Sequence, residues 1–417
     1  MIFWFFACNS NKNDVLESSS NEYTYYKDIQ PILAKHCVRC HHEEGQGVGD
    51  FLDPEDVTAL ATQIVHSIDA GRMPPPSSDP ECHDYIGSEY MFLSEDKKNM
   101  IRKWVEQGSP MGNESDKQPI EALEMLDVKL SDADLIVTIQ EPYSPTFDDE
   151  RNPGNEYRCF ALKHNREEPF YITALHPNID QASMVHHVVL AKAKEDAMVS
   201  GSKRANGADC IDDGAFITDF GTGAMLGGWA PGMQPIELPE DVGILIQPDD
   251  YIVIQMHYYQ GNNPEGTTDQ SGYSFRTTDQ VEHVAQMFPF GFQNFRIPAG
   301  DEAYTKTTSL NLPFDLKIWG IFPHMHVLGS AYKTWIQHDD GDTTCLAESK
   351  YYDFENQLQY IYEYDEELDK EDTLKISCTW NNSTSNPDLI HNPPIDVGYG
   401  ERTDEEMCYA FGLVSFN

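Results

Sequence analysis

Short apolar runs separated by turns rich in Asn, Asp, Pro and Gly recur along the second part of the chain, from about residue 131. Many of these runs are rich in β-branched and aromatic residues, which is typical of strands in antiparallel sheets. The predicted strands include residues 135–139, 159–162, 170–175, 183–190, 251–259, 318–329 and 404–414. The pattern therefore predicts an all-β body that begins near residue 131.

The N-terminal part has a different periodicity. Apolar side chains recur at helical spacing between Ser94 and Gly108, namely Met100, Ile101, Trp104 and Val105. Ser94 is a predicted N-cap and Gly108 can end the helix. Residues 114–130 are polar and predict a linker. A small helical domain over residues 23–113 is therefore expected before the β body.

Composition and charge limit the classes of molecule that the protein can be expected to bind. The 417 residues suffice for two or three domains, and 70 Asp and Glu against 28 Lys and Arg give a net charge of -42. Such a charge disfavours binding to nucleic acid or to an anionic membrane surface. No run approaches the ~20 apolar residues of a membrane-spanning helix.

Residues 1–22 resemble the end of a bacterial lipoprotein signal followed by a tether, because a short apolar run precedes Cys8 and three serines follow at 18–20. The run is short and has no Lys or Arg before it, so a misplaced start codon or an accidental resemblance are the alternatives. We expect an exported protein, periplasmic or held at the outer membrane, with any membrane attachment limited to a lipid on Cys8.

The first chemical motif is Cys37-Val-Arg-Cys40-His41. Two thiols at this spacing can form thioethers to haem, and the adjacent histidine can bind its iron. A redox-active pair or a zinc site are the alternatives, but the histidine and the expected export favour haem c.

Met73 is the predicted sixth ligand of that haem, because the prolines at 74–76 would hold its loop extended. Weaker alternatives are core methionines and other histidines, namely Met91, Met100, Met111, His42 and His66. Residues 23–113 as a whole resemble small bacterial class I cytochromes c. The resemblance implies a three-helix haem-binding domain with His41 and Met73 as axial ligands and a role in electron transfer.

Histidine motifs mark the β part. His324 and His326 flank Met325 in a predicted strand, so their side chains would share one face and could bind one metal ion. His186 and His187 are adjacent and would face opposite sides of a regular strand. They can share a metal only if the strand twists or bulges, or if they use different ring nitrogens. Considered alone, His257 and Met407 are each explained more simply as core residues than as metal ligands.

Six separated motifs occur in a characteristic order: Val185–His187, Pro239–Gly243, Gln255–Tyr258, Ile297–Gly300, His324–Gly329 and Glu406–Cys408. In this order and rough spacing the chain resembles the type II, ascorbate-dependent copper monooxygenases, the peptidylglycine α-hydroxylating and dopamine β-hydroxylating family. The resemblance implies two tandem antiparallel β-sandwiches of jelly-roll type, which would occupy residues 131–288 and 289–417.

The resemblance also implies two copper sites. An electron-transfer copper would be bound by His186, His187 and His257, and an oxygen-activating copper by a second set: His324, His326 and Met407. A soft thioether favours Cu(I), the state that meets O₂. The implied reaction is the hydroxylation of a C–H bond of a small organic substrate by O₂, with electrons from ascorbate or a similar reductant.

The family has a disulfide at the cysteine beside the ligand methionine, which implies a Cys378–Cys408 bond. Cys159 with Cys210 is a weaker pairing, and Cys82 and Cys345 have no predicted partner.

The chain departs from the peptide-amidating members at their substrate-carboxylate clamp. Phe322, Tyr409 and Phe411 stand where those members have Arg, Asn and Tyr. A peptidylglycine substrate is therefore not expected, and the aromatic side chains favour an apolar or aromatic substrate.

The fusion of the two parts suggests that the haem domain accepts electrons from a periplasmic donor and passes them to the copper of His186, His187 and His257. Two other functions compete with a haem-fed monooxygenase. One is a non-catalytic haem and copper electron-transfer protein, and the other is a carbohydrate-binding sandwich fused to a cytochrome. Six ligand positions for two different sites favour the enzyme over the first alternative, since electron transfer alone does not need an open site for O₂.

Overall fold

The computed structural model describes residues 23–43, 45, 47–117, 130, 132–148, 154–194, 208–209, 225–230, 233, 235–261, 263–354, 356–400 and 403–416. Within these residues antiparallel β-structure dominates, and all helices lie before residue 117. None of the described helices combines the length and apolarity needed to cross a membrane. Cys8, Cys210 and most of the predicted linker lie outside the described residues.

The N-terminal part is helical, as the periodicity predicts. Its α-helices are α1 Gln30–His36, α2 Pro54–Asp69, α3 Ser88–Met91 and α4 Glu95–Glu106. A π-helical turn, Tyr25–Ile29, precedes α1, and a 3₁₀ turn, Glu114–Asp116, follows α4. The Ser94 hydroxyl accepts a hydrogen bond from the Lys97 backbone N–H, which confirms the predicted N-cap. Trp104 and Ile101 are fully buried in the core of this part.

The remaining described chain forms twenty strands. In chain order they are β1 Leu135–Thr138, β2 Asn155–Lys163, β3 Phe170–Asn178, β4 Val185–Lys194, β5 Ala208–Asp209, β6 Met225–Trp229, β7 Ile236–Glu237, β8 Val242–Ile246, β9 Asp250–Tyr259, β10 Gly272–Thr278, β11 His283–Gly291, β12 Arg296–Ile297, β13 Tyr304–Leu310, β14 Leu316–His324, β15 Gly329–Gln337, β16 Thr343–Ser349, β17 Tyr360–Leu368, β18 Thr373–Trp380, β19 Val397–Gly398 and β20 Tyr409–Phe416. The predicted strands at 159–162, 170–175 and 251–259 fall on β2, β3 and β9, and the predicted strand at 135–139 falls on β1, which ends one residue earlier.

Two predicted strand ends need correction. β14 ends at His324, so His326 lies beyond the strand rather than on one strand face with its neighbour. β20 begins at Tyr409, so Met407 precedes the last strand. Both residues therefore belong to the connections at the strand ends, where the regular two-residue alternation of side chains no longer applies.

Four sheets arrange these strands. A nine-stranded sheet has the order β1-β10-β3-β8-β11-β20-β14-β17, with β7 added beside β3. A five-stranded sheet, β5-β2-β9-β4-β6, shares a core with its first part, and a four-stranded sheet, β13-β18-β15-β16, shares a second core with its last part. β12 and β19 form a small separate pair. These packed antiparallel sheets are compatible with β-sandwich domains.

β11 joins the two halves of the β body. It pairs in parallel with β8 and antiparallel with β20, so one sheet runs through both halves. The predicted division after residue 288 falls within this strand. Side chains of the second half also enter the first core, among them Trp319, Phe322 and Phe411. The two halves therefore share buried apolar surface as well as a sheet.

The stretch from residue 76 to residue 91 lies against the second half of the β body. Tyr85 and Met91 are buried in its core, and the Asp79 backbone N–H donates to the Glu348 carbonyl at 2.8 Å. Cys82 and Cys345, which have no partner predicted from the sequence, form a disulfide. The predicted domain of residues 23–113 is thus fastened to the β body through its own loop.

Candidate metal centres

The first histidine cluster depends on an irregularity in β4. The pairing of β4 with β9 shifts between Val185 and His187, and beyond this bulge His187 lies opposite His257. A bulge re-aims the side chains on either side of it. His186 and His187, which would face opposite sides of a regular strand, can therefore turn toward the same point. This is one of the geometries that the sequence requires for a shared metal.

The ring nitrogens of this cluster converge. The Nδ1 atom of His187 lies 3.3 Å from the Nδ1 of His186 and 3.3 Å from that of His257. One ligand atom from each of the three rings lies within 4.8 Å of the others. Metal–imidazole bonds of about 2.0 Å place bound nitrogens about 3.3–3.5 Å apart in a tetrahedral or trigonal site. The observed spacing fits one metal ion bound by three imidazoles.

Neighbouring side chains orient His257. Its Nε2 lies 2.8 Å from Asn155 Oδ1, so this nitrogen donates the proton and Nδ1 keeps its lone pair for a metal. The Tyr157 ring stacks on the imidazole at 4.1 Å. Burial lowers the pKa of His257 and lowers that of His187 to about 3, which keeps the rings neutral. Neutral imidazole is the form that binds metals.

The second candidate centre lies where β14 ends and β20 is about to begin. His324 is the last residue of β14, and its ring centroid is 5.2 Å from that of His326 at an interplanar angle of 87°. Met407 is 97 % buried and directly precedes the β20 region. The fold thus brings all three residues of the predicted second set to adjoining strand ends, since β14 and β20 are hydrogen-bonded neighbours.

Both histidines of this centre are held through Nδ1. His324 Nδ1 donates to Gln357 Oε1 at 2.6 Å, and His326 Nδ1 donates to the Glu405 carbonyl at 3.0 Å. Each ring then has Nε2 as its lone-pair nitrogen. Burial lowers the pKa of His324 to about 3. A His₂Met set of this kind suits a metal that accepts soft sulfur as well as imidazole, and copper does so.

A buried carboxylate organises the backbone of the second centre. Glu406 Oε2 accepts hydrogen bonds from the backbone N–H groups of His326 and Met407 and from Trp380 Nε1, and Oε1 accepts from the Leu328 N–H. Burial raises the pKa of Glu406 to about 7, and the donated hydrogen bonds oppose that rise. One side chain therefore fixes both chain segments that carry the predicted ligands.

The disulfide implied for this region is present. Cys378 of β18 is bonded to Cys408, the residue after Met407. Cys159 of β2 also belongs to a disulfide, while its suggested partner Cys210 lies outside the described residues. The Cys378–Cys408 bond ties the Met407 segment to the four-stranded sheet.

An aromatic cluster adjoins the second centre: Phe322 and Phe411 are paired across β14 and β20, with ring centroids 5.9 Å apart, and Phe411 is also 5.9 Å from His324. Tyr409 stacks on Phe411 at 5.7 Å. The three residues that differ from the peptide-amidating pattern, Phe322, Tyr409 and Phe411, thus form one aromatic wall beside His324.

The Cys37–His41 motif follows α1. His41 Nδ1 donates to the Val48 carbonyl at 2.9 Å, and its ring stacks on Phe51 at 4.2 Å. Gly47 packs against the ring so closely that a Cβ would come within 2.5 Å of Nδ1. The orientation leaves Nε2 as the nitrogen for an iron atom.

Met73, the predicted sixth ligand, lies in the loop after α2 with 40 % of its surface exposed. The alternatives lie elsewhere: Met91 is in the second core of the β body, and Met100 and Met111 pack against the helical core. His66 is exposed on α2.

Sequence reasoning missed several residues that orient the candidate ligands. Asn155, Tyr157 and Gln357 contact the histidines, yet they are distant in sequence and carry no local motif. Glu406 could be recognised as part of a Glu-Met-Cys motif, but its four hydrogen bonds follow only from the fold. Such contacts arise from tertiary structure, which one sequence does not reveal.

The fold and geometry define a β-rich protein with two separate places for a metal ion, one lined by three imidazoles and one by two imidazoles beside a buried methionine. The N-terminal domain of the copper type II ascorbate-dependent monooxygenases matches residues 148–267, and the C-terminal domain of that family matches residues 296–413. Together these regions make up more than half of the chain. The chain therefore belongs to the copper type II ascorbate-dependent monooxygenases, a family whose members are expected to hold copper.

Two curated relatives agree with this assignment. DBH-like monooxygenase protein 2 of Homo sapiens is 26% identical over 246 residues, which are 54% of this chain and 46% of that protein. Dopamine beta-hydroxylase of Canis lupus familiaris is 23% identical over 199 residues, 44% of this chain and 31% of that protein. The chain spans less than half the length of these relatives.

Among solved structures, the empty particle of cowpea mosaic virus matches with a TM-score of 0.21 and 8% identity, over 68% of this chain and 88% of that one. The STIV MCP matches with a TM-score of 0.24 and 9% identity, over 68% of this chain and 96% of that one. Scores this low carry no argument about fold or function.

Proposed function

We propose that the protein is a copper monooxygenase that hydroxylates a C–H bond of a small apolar or aromatic substrate with O₂, and that a c-type haem in its helical domain supplies the electrons. One observation carries the proposal. Three imidazoles converge on one point of the β body, and two further imidazoles and a buried methionine lie at adjoining strand ends of the same body.

The cluster of His186, His187 and His257 suits the electron-transfer copper. Three neutral imidazoles can bind both Cu(I) and Cu(II), so the metal can change oxidation state without changing its ligands. Asn155 and Tyr157 hold His257 in place through its Nε2 atom and its ring face. Fixed ligands reduce the rearrangement that accompanies each electron.

The set of His324, His326 and Met407 suits the copper that meets O₂. The thioether favours Cu(I), and three protein ligands leave room for oxygen. Gln357 and the Glu405 carbonyl hold the Nδ1 protons, so that both Nε2 atoms are presented to the metal. The bound copper would supply oxygen activation, while these residues hold the orientation of its histidine ligands.

The aromatic wall beside His324 supports an apolar substrate. Phe322 and Phe411 cannot form an ion pair with a carboxylate, and their rings are nearly fully buried against the first core. We expect Phe322→Ala and Phe411→Ala to weaken the affinity for an apolar substrate severalfold, measured as KM once a substrate is found. A Phe416→Ala variant, changed at an exposed aromatic of the same strand, is the control. Unchanged KM values in both wall variants would remove the substrate class from the proposal.

The helical part fits a covalent haem. Cys37 and Cys40 follow α1 at the spacing of thioether attachment, and His41 has its Nδ1 proton bound by the Val48 carbonyl. Arg39 Nη1 is buried and has no hydrogen-bond partner among the described residues, so it is available to an anionic group such as a haem propionate. Haem with His and Met ligands would supply one-electron transfer.

Export to an oxidising compartment is part of the proposal. The Cys82–Cys345 and Cys378–Cys408 disulfides and the disulfide at Cys159 are typical of proteins outside the reducing cytosol. A periplasmic or outer-membrane location with a lipid on Cys8, and a periplasmic electron donor or an ascorbate-like reductant, complete the proposal.

Metal content tests the proposal directly. The exported, haem-matured chain is analysed for iron, copper and covalent haem, as wild type, as His324→Ala with Met407→Ala, and as His66→Ala, a control at an exposed histidine. We expect one haem and two coppers in the wild type and the control, and one copper in the double variant. Haem without tightly bound copper would contradict the monooxygenase and favour a cytochrome fused to a β-sandwich scaffold, and copper without haem would contradict the haem-fed mechanism.

A further inference from the structure

One short segment contacts both the helical domain and the second metal centre. Residues 351–354 and 356–357, here called the linking segment, lie between β16 and β17. In the sequence this stretch carries no recognisable motif. Its position is fixed by contacts with the helical domain on one side and with the second metal centre on the other.

Toward the helical domain, the linking segment meets the loop that carries Met73. Gly71 packs on the Tyr351 ring, where a Cβ would come within 2.5 Å, and its φ of +69° also favours glycine. Asn356 Nδ2 donates to the Pro76 carbonyl at 3.5 Å. These two contacts flank Met73, the predicted haem ligand, on either side in the sequence.

Toward the metal centre, the same segment holds the His-x-His stretch. Gln357 accepts the Nδ1 proton of His324, and the Phe354 ring lies 5.7 Å from that of His326. The Tyr352 hydroxyl donates to the Met325 carbonyl at 2.8 Å and accepts from the Met325 N–H at 3.0 Å. Three of its six described residues thus contact the stretch from His324 to His326.

A disulfide and hydrogen bonds join the helical domain to the two strands that flank the linking segment. The Cys82–Cys345 disulfide joins the domain to β16, and the Glu348 N–H donates to Ser78 Oγ at 3.0 Å. Ile86 N–H donates to the Ile361 carbonyl of β17 at 2.8 Å. Both strands that bracket the linking segment are therefore bonded to the helical domain, which gives the contact a defined geometry.

We propose that the linking segment couples the helical domain to the centre of His324, His326 and Met407, so that electrons accepted by the domain enter the β body at that centre. The sequence alone suggested entry at His186, His187 and His257 instead. This inference rests on the proposed function, because it needs the c-type haem and both coppers. Each transfer oxidises one ferrous haem to ferric and reduces one Cu(II) to Cu(I).

Single-centre variants distinguish the two routes. His186→Ala with His187→Ala retains only the second centre, and His324→Ala with His326→Ala retains only the first. Each haem-containing chain is loaded with Cu(II) without O₂, its haem is reduced rapidly, and haem absorbance and the Cu(II) EPR signal are followed together. We expect haem reoxidation and loss of Cu(II) signal to be at least tenfold faster in the chain that retains the second centre. Equal rates, or a faster first centre, would overturn the inference.

A second experiment tests the role of Gln357 as a positioning residue. Gln357→Leu removes the acceptor for His324 Nδ1, whereas Gln357→Glu preserves one. In chains that retain only the second centre, the Leu variant is expected to change the Cu(II) EPR hyperfine splitting and the Glu variant to restore it. An unchanged spectrum in the Leu variant would show that Gln357 does not position His324.

The outcomes distinguish a failure of this inference from a failure of the proposed function. A chain that lacks covalent haem or copper refutes the proposed function and the inference together. A chain with one haem and two coppers, in which the first centre takes electrons faster, keeps the proposed function and refutes only the route through the linking segment.

Discussion

At the scale of single residues, the Glu406 carboxylate is the most constrained group near the second centre. It is fully buried and accepts four N–H hydrogen bonds. Glu406→Gln keeps the shape but places an amide NH₂ group against at least one N–H donor. Leaving a buried donor unsatisfied costs about 1–3 kcal/mol. We expect a loss of that size in the free energy of unfolding of the copper-free protein, measured in urea.

The matched control for this prediction is Glu363→Gln, the same substitution at an exposed acid of β17. We expect it to change the free energy of unfolding by no more than about 0.5 kcal/mol. If the Glu406→Gln variant were as stable as the wild type, the hydrogen bonds would not explain why the acid occupies this position.

The Asn155 amide is predicted to control copper binding at the first centre. Its Oδ1 accepts the Nε2 proton of His257 and so directs Nδ1 toward the metal. Loss of such a partner usually weakens metal binding about 10–100-fold. We expect Asn155→Leu to lower the copper affinity of the first centre by this factor and Asn155→Asp to retain it, measured by competition with a chelator. The second centre in the same chain is the internal control.

The candidate ligands could be predicted from the sequence, whereas the residues that orient them could not. His324, His326 and the Cys378–Cys408 pair stand in motifs that a family resemblance transfers position by position. Asn155 and Gln357 enter through pairings between distant segments. The β4 bulge beside His187 has no sequence signal that distinguishes it from a regular strand, although the adjacent histidines require either a bulge or different nitrogens.

At the scale of elements, the Cys378–Cys408 disulfide links β18 to the segment that carries Met407. It closes a loop across 30 residues of sequence, and removing a bond of this loop size costs about 2–4 kcal/mol. We expect Cys378→Ser with Cys408→Ser to lose stability by this amount in urea unfolding. Because the bond restrains Met407, the second centre should also lose copper before the first does.

Equal copper loss at both centres of that double variant would show that the disulfide stabilises the fold without restraining the ligand.

Strand positions could be predicted well, because alternation and turn residues are local signals. The ends of β14 and β20 could not, since hydrogen bonding across the sheet decides where each strand stops. The passage of one sheet through both halves, by way of β11, likewise depends on pairings that are far apart in the sequence.

At the scale of the whole molecule, the helical domain is held to the β body by polar contacts as well as by the Cys82–Cys345 disulfide. His83 Nε2 lies 2.9 Å from Glu366 Oε1 of β17, and its ring lies 3.9 Å from that of Tyr362. The sequence separates these partners by more than 270 residues, so no local pattern predicts the contact. The docking of the two parts is accordingly the feature that sequence reasoning missed most completely.

This contact predicts a dependence of stability on pH. Burial lowers the pKa of His83, but the hydrogen bond to Glu366, the Asp84 carbonyl and the charges of both acids outweigh that effect, and the net pKa is raised. A pKa that is higher in the folded than in the unfolded chain stabilises the fold fully below about pH 6.5. The stabilisation is lost as the pH rises through the folded value.

His83→Gln tests this dependence because glutamine keeps a hydrogen bond without a titrating charge. We expect the variant to be on the order of 0.5–1 kcal/mol less stable than the wild type at pH 5.5, the range of a partly exposed ion pair, with the difference shrinking by pH 8.5. Urea unfolding with the disulfides intact measures it, and His66→Gln, at an exposed position on α2, is the control. A difference that grows with pH would mean that His83 docks the domain as a neutral ring, through Tyr362 rather than through its charge.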